Sequence, residues 1–320
     1  MMGSLFDQIF QMSFIIGLLS AMFRMATPII FGTLGEIITE RSGVLNLGIE
    51  GIMLISAMFG FLATLATGSQ WFGVLIAIAV GVIFALIMAF LVVYLGLSQH
   101  VSGLGVTLFA TGLAMFVYRH TVGSPTVPPI VQPFKPFPIP YLSDIPFFGQ
   151  ILFNQYALVY VSWALIPIIW IFLYKTRYGL ALRVVGENPM AADTVGINVN
   201  LTRTLALVVG GALMGIGGAF LTLAHQNMFL IDVVGGRGWV CIAMVIFGNW
   251  DPVRGSLGAL LFGFIDAFQL RLQSSGFAIP FHLFLVLPYV ITIIALIGVA
   301  RRSSAPAGLL KPYRREEKGG

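Results

Sequence analysis

From Phe72 to Leu97 the chain runs without a charged side chain, and comparable apolar runs recur from Ala157 to Tyr174, Leu205 to Ala224 and Leu283 to Ala300. About 20 apolar residues are what an α-helix needs to cross the hydrocarbon layer of a bilayer. In that solvent the backbone must satisfy its own N–H and C=O groups, which leaves only helices and closed barrels. The period-2 alternation of barrel strands is absent here, so helices remain. Composition agrees: mean hydropathy is +0.97 and the charged fraction is 9%, against about 25% in soluble domains. The sequence therefore predicts an all-α, polytopic membrane protein.

Placed by these runs, about nine crossings fall near residues 12–38, 46–66, 72–96, 103–119, 156–174, 204–224, 238–249, 255–271 and 281–300. The short pair at 238–249 and 255–271 is also compatible with a re-entrant hairpin. Everything up to residue 302 reads as one transmembrane domain, with polar loops at 120–155 and 175–203 and a tail at 303–320. Arg41, Lys175, Arg177, Arg183, Arg203, Arg254 and the basic tail fall on one side, whereas Arg119, Lys135, Arg237 and Arg271 fall on the other. By the positive-inside rule the first side is cytoplasmic, which puts the N-terminus outside and the C-terminus inside. The proline-rich stretch "SPTVPPIVQPFKPFPIPYLSDIP" then lies outside, too interrupted for a long helix. The hairpins 46–96 and 238–271 take opposite orientations around the span near 156–174, the arrangement of an inverted repeat.

Several classes are excluded at this stage. The pI near 9.5 reflects loop and tail residues beside apolar spans, which is a topology signal and not a nucleic-acid surface. "MMGSLFDQIF" has no basic region before its apolar residues, so insertion is expected from the internal spans. Cys241 is the sole cysteine, which rules out an intramolecular disulfide or a thiolate cluster. The four histidines lie far apart with no i, i+4 spacing, so no metal is expected. No G-x-x-x-x-G-K-[ST] sequence occurs, and no clustered nucleophile, acid and base, so the chain reads as neither an ATPase nor a membrane enzyme.

One compact polar stretch interrupts the apolar pattern. In "VGENPMAADTVGINV" (Val185–Val199), Asn188 suits an N-cap, Pro189 the first helical position and Gly196 the left-handed position after the last turn. The helix so defined is far shorter than the roughly 12 to 15 residues at which isolated helices become marginally stable, so something must hold it. It is either packed against the protein's own underside or is a docking knob for a cytoplasmic partner. In the second case Met190, Ala191 and Ala192 form a small apolar contact face, with Glu187 and Asp193 at its edge. "GALMG" (Gly211–Gly215), extended by Gly217 and Gly218, permits close helix approach, within the chain or to a second one.

Polar residues inside a membrane are costly and are candidates for a translocation path. Asn46 and Glu50 lie one turn apart in "NLGIEG"; Gln99 and Ser102 open the helix of "SQHVSGL"; Asp266 and Gln269 lie one turn apart further on. Each pair has a structural alternative. Glu50 sits near a helix N-terminus, where the dipole favours a carboxylate. Gln99 and Ser102 are placed as a helix cap, and Asp266 and Gln269 can pair with Arg271. Arg24 lies within the first span, left to a kink near Pro28 or to a partner chain. An ion-coupled secondary transporter is the rival from another class, since it too uses inverted repeats, and it would need Asp266 or Glu50 as a titrating group.

Taken together, "ERSGVLNLGIEG" (Glu40–Gly51), "SQHVSGL" (Ser98–Leu104), "YGLALRVVGENPMAADTVGINV" (Tyr178–Val199), "IFGNWDPVRGSLGALLFG" (Ile246–Gly263) and "LPYVITIIALIG" (Leu287–Gly298) resemble, in order, the inner-membrane permease subunits of bacterial ABC importers. The resemblance is to the branched-chain amino acid and simple sugar class, nearest the nucleoside type that works with a basic-membrane-protein lipoprotein. It implies a fold like that of the vitamin B12 importer's permease, and a coupling helix made of Glu187, Asn188, Pro189, Met190, Ala191, Ala192, Asp193, Thr194 and Gly196. It implies as partners a cytoplasmic ATPase that binds ATP and Mg, a second permease chain, different or identical, and an extracytoplasmic substrate-binding lipoprotein. Nucleosides are the expected cargo and ribose- or galactose-type sugars the alternative.

Overall fold

A computed structural model describes residues 12–123, 125–274, 286, 290 and 304–313. Among these residues seven helices are long and apolar enough to cross a membrane. They are α1 (Met12–Arg41), α2 (Ile49–Thr67), α3 (Gln70–Ala89, prolonged by a π-turn Phe90–Tyr94), α4 (Gln99–Thr121), α6 (Ala157–Lys175), α9 (Val199–Phe220, prolonged by a π-turn Leu221–His225) and α11 (Pro252–Ser274). Shorter helices are α5 (Phe148–Leu152), α7 (Arg177–Glu187), α8 (Pro189–Thr194) and α10 (Arg237–Phe247). Two-residue strands β1 (Phe137–Pro138) and β2 (Asn154–Gln155) pair antiparallel in the proline-rich connection.

The expectation of about nine crossings is corrected at one place. The span expected at 238–249 is α10, whose 11 residues reach only about 16 Å at 1.5 Å per residue, about half of the hydrocarbon layer. Its successor α11 is full length, so the two are not a matched re-entrant pair. The crossing expected at 281–300 lies outside the described residues. Left-handed Gly235 and Gly236 (φ 56° and 82°) start α10 at the level of Glu50 on α2, so the connection from 226 to 236 descends well into the bundle before the helix begins.

The glycines of α9 set the packing. A Cβ on Gly211 would meet Ala85 and the Gly81 carbonyl of α3, on Gly215 the Ala77 carbonyl of α3, and on Gly218 the Met53 carbonyl of α2. Gly210 lies just as close to Gly35 of α1. The "GALMG" run is thus a contact within the chain, where small residues let backbones approach without a side-chain layer between them. α9 runs antiparallel to α1 and α3 and parallel to α2, and α1 in turn runs antiparallel to α11, with Gly263 against Ala26 and Gly255 against Thr33 and Ile37. Exchanging α1 with α9, α2 with α10 and α3 with α11 turns one set of contacts into the other.

The loops fall into two groups at opposite ends. At one end the proline-rich connection is tied down by Val131 N–H to Asn227 O (2.9 Å) and by Gln70 Nε2 to Gln132 O (3.0 Å). At the other end α7, α8, the turn at Asn249–Asp251 and residues 304–313 gather around the C-terminus of α1.

Candidate functional site

The gathering at the basic end is built around the last turn of α1. Arg41 donates through Nε to Trp250 O (3.0 Å) and through Nη2 to Tyr174 Oη (3.2 Å). The Trp250 indole N–H donates to Glu40 Oε2 at 2.6 Å. Arg203 of α9, only 1% exposed, donates to Ser42 O (3.2 Å) and Lys311 O (3.1 Å). Two arginines thus knit the ends of α1, α6, α9 and the α10–α11 turn into one junction.

α7 and α8 rest on this junction. Asn188 caps α8 through its side-chain oxygen to Ala191 N–H (3.0 Å), Pro189 takes the first helical position, and Gly196 is left-handed (φ 84°) just past the end. These are the roles the sequence predicts for the three residues, in a helix of 6 residues. The face it presents differs from expectation at one position. Ala192 is fully buried in a small cluster with Val185 and Val199, whereas Met190 is 45% and Val195 72% exposed. Two steps of 100° put Ala192 on the opposite side of the helix from Met190, and it is the side turned to the protein. The outward surface is Met190, Ala191, Thr194 and Val195, flanked by exposed Glu187 and the half-buried Asp193.

Three of the intramembrane polar residues, Asn46, Gln99 and Glu50, are engaged by backbone. Asn46 Oδ1 accepts from Gly48 N–H (3.0 Å) while its own N–H donates to Glu36 Oε1 (2.8 Å). Gln99 Oε1 accepts from Leu45 N–H (2.8 Å), and its amide donates to Gly43 O (3.4 Å), with Ser102 buried one turn along α4. Glu50 accepts from Gly236 N–H (2.8 Å) and Gly238 N–H (2.7 Å), so that a carboxylate of α2's first turn closes the N-terminus of α10. Asp266 pairs with Arg237 at 3.3 Å and not with Arg271 as the sequence had allowed. Gln269 is 2% exposed and its Oε1 has no partner among the described residues.

One feature escaped sequence reasoning. Arg24 has partners within the chain: Nε donates to Gln155 Oε1 (3.0 Å) and the guanidinium lies 4.7 Å from the Tyr156 ring centroid. It lines a cavity of about 350 Å³ with Ser20, Tyr156, Phe220, His225 and Arg271. The partners lie 131 residues apart in sequence, and only the proximity of a polar Asn-Gln pair to the start of a span hinted at them.

Seven long apolar helices among the described residues, with one short, capped and outward-facing polar helix at the basic end, can be compared with known families. A family described as the permease component of branched-chain amino acid transport systems matches residues 18–296. The chain belongs to this family. The permease is 38% identical, over 95% of its length and 99% of the relative's, to a protein of Haloferax volcanii named provisionally as a glucose ABC transporter permease. It is 37% identical to the guanosine ABC transporter permease protein of Bacillus subtilis, over 90% of the permease and 93% of the relative. To the nucleoside ABC transporter permease protein of Lactococcus lactis it is 35% identical, over 88% and 91%. No solved structure matches the permease.

Proposed function

We propose that the permease forms the translocation path for nucleosides in an ATP-driven importer, delivered to it by a substrate-binding lipoprotein. α8 is read as the contact for a cytoplasmic ATPase, and the observation that carries this is its combination of short length, full capping and an outward apolar surface. A helix of this length has no stability of its own, so a surface helix built and capped with such care has the properties of a docking element. ATP and Mg belong to the partner. In this reading the basic end faces the cytoplasm of a bacterial inner membrane, the proline-rich end faces outward, and the C-terminus is inside. The exchange of α1 with α9 and α3 with α11 supports an inverted repeat of the kind that underlies alternating access. A second permease chain, different in preference to identical, completes the path.

The nucleoside assignment rests on the guanosine and nucleoside relatives; simple sugars are the second reading, favoured by the glucose relative. An ion-coupled mechanism is less well supported, since Glu50 and Asp266 are both engaged in contacts within the fold.

The test is co-purification. Wild type and a variant with residues 189–194 replaced by a Gly/Ser linker are expressed with the ATPase. Retention by wild type and loss from the variant is the expected result. Retention by neither, with guanosine uptake driven by an imposed ion gradient alone, refutes the reading. Uptake competed by glucose but not by guanosine moves the cargo to sugars.

A further inference from the structure

The ten-residue stretch "SAPAGLLKPY" at 304–313 has no place in the transport reading so far, since it lies in the tail beyond the last expected span. Its contacts are those of a built element. Ser304 N–H donates to Asn249 Oδ1 (3.0 Å), Ala307 N–H to Glu187 Oε2 (3.1 Å) and Gly308 N–H to Gly186 O (2.8 Å). Lys311 O accepts from the buried Arg203 guanidinium, and Tyr313 packs on the Val185, Ala192 and Val199 cluster beneath α8.

Three glycine backbones stack at the centre of this arrangement. A Cβ on Gly43 would lie 3.1 Å from Gly308 O and 3.4 Å from Gly186 Cα; one on Gly308 would lie 2.7 Å from Gly186 O and 3.3 Å from Pro189 Cδ. The α7–α8 junction is therefore sandwiched between the end of α1 and the strap, backbone against backbone, with the Arg203 guanidinium beside Gly43 at the edge of the stack.

This placement matters because α8 is flanked by two backbone hinges. At its start a single extended residue, Asn188 (φ −146°, ψ 92°), separates it from α7; at its end stands left-handed Gly196. A short helix between two such points rotates in place when pushed, unless both points are fixed. The strap fixes the first through Gly186 and Glu187 and supports the second through Tyr313, which packs on the Val185, Ala192 and Val199 cluster.

We propose that residues 304–313 are a positioning strap that makes α8 move as one body with α1 and α9, so that ATPase motion reaches the membrane helices. This rests on the reading of α8 as the ATPase contact. The strap does not hold the ATPase; it transmits what the ATPase does.

The experiment uses the assembled transporter in proteoliposomes with its binding lipoprotein and radiolabelled guanosine. Gly308→Val displaces the strap from Gly186. Ala307→Pro removes the N–H bonded to Glu187, fixes φ at that residue and restricts Pro306, and carries the test if Gly308→Val is not monodisperse. Expected is retention of the ATPase within about two-fold of wild type, with guanosine transported per ATP hydrolysed falling about ten-fold for Gly308→Val and about five-fold for Ala307→Pro, the scale of one lost hydrogen bond. An unchanged ratio of transport to hydrolysis in both variants overturns the proposal while leaving the importer reading intact. Loss of ATPase retention from a monodisperse Gly308→Val chain also overturns it, making the strap a docking surface. If wild type itself retains no ATPase, the importer reading fails and the strap proposal with it.

Discussion

Removing the Glu50 carboxylate is expected to release α10 from α2. The structure gives the scale. Glu50 accepts two backbone N–H bonds, 2.8 Å from Gly236 and 2.7 Å from Gly238, at the first turn of a helix whose opening N–H groups have no partner within it. Gly238 is buried, whereas Gly236 and Glu50 are half-buried, so of the two donors the Gly238 N–H has the less access to water once the carboxylate is gone. Each buried donor left without a partner costs about 1–3 kcal/mol. Hydrogen bonds between membrane helices fall toward the low end of such ranges because the unfolded chain in lipid finds other partners. For Glu50→Ala the buried Gly238 N–H and the half-buried Gly236 N–H together therefore set a loss of about 2–3 kcal/mol.

Glu50→Gln sharpens the argument. Its amide retains one acceptor and turns an NH₂ donor toward the other N–H, so about half of the loss, roughly 1.5 kcal/mol, is expected. The assay is reversible unfolding in mixed detergent and dodecylsulfate micelles, followed by helix signal. A two-to-one ratio between the alanine and glutamine variants is the signature of two independent acceptor sites. Glu50→Ala within about 0.5 kcal/mol of wild type, the range of an ordinary surface change, would refute the reasoning. Guanosine uptake abolished with stability unchanged would return Glu50 to the translocation path.

Two further outcomes follow from the packing. Gly211→Leu places a side chain onto the Gly81 carbonyl and Ala85 and is expected to cost at least about 3 kcal/mol or to prevent folding; Gly112→Ala on α4, where nothing lies within 4 Å, is expected to be neutral or stabilising by up to about 1 kcal/mol. Monodisperse yield and micelle unfolding check both, and equal behaviour of the two glycines would contradict the hub role of α9. Trp250→Phe removes the indole donor from Glu40, both groups being at most 4% exposed, and is expected to cost about 2 kcal/mol by leaving the carboxyl oxygen unpaired, with a loss under about 0.5 kcal/mol counting against the junction described at the end of α1.

What the sequence showed and what it hid have separate physical causes. Long helices follow from apolar runs because lipid leaves the backbone no alternative, and the α8 cap was legible because Asn188, Pro189 and Gly196 each act within a few residues of their own position. α10 was read as a crossing because its composition is that of one. Its half length is set by the left-handed glycines before it and by a carboxylate 186 and 188 residues away, which no local pattern encodes. Glu50, Gln99 and Asn46 looked like path residues for the same reason: a polar group in an apolar run is conspicuous, but whether it faces a substrate or a bare backbone N–H depends on which distant segment arrives beside it. The strap at 304–313 was hidden in the opposite way. Its hydrogen bonds to the rest of the chain run through its main-chain N–H and C=O groups, which every residue carries, so apart from the packing of Leu309 and Tyr313 its side chains had no reason to announce it. The two cases share an origin, because side-chain chemistry reports what a residue can do locally, while in this permease the junctions are made where backbones from remote parts of the chain come into contact, several of them at glycine.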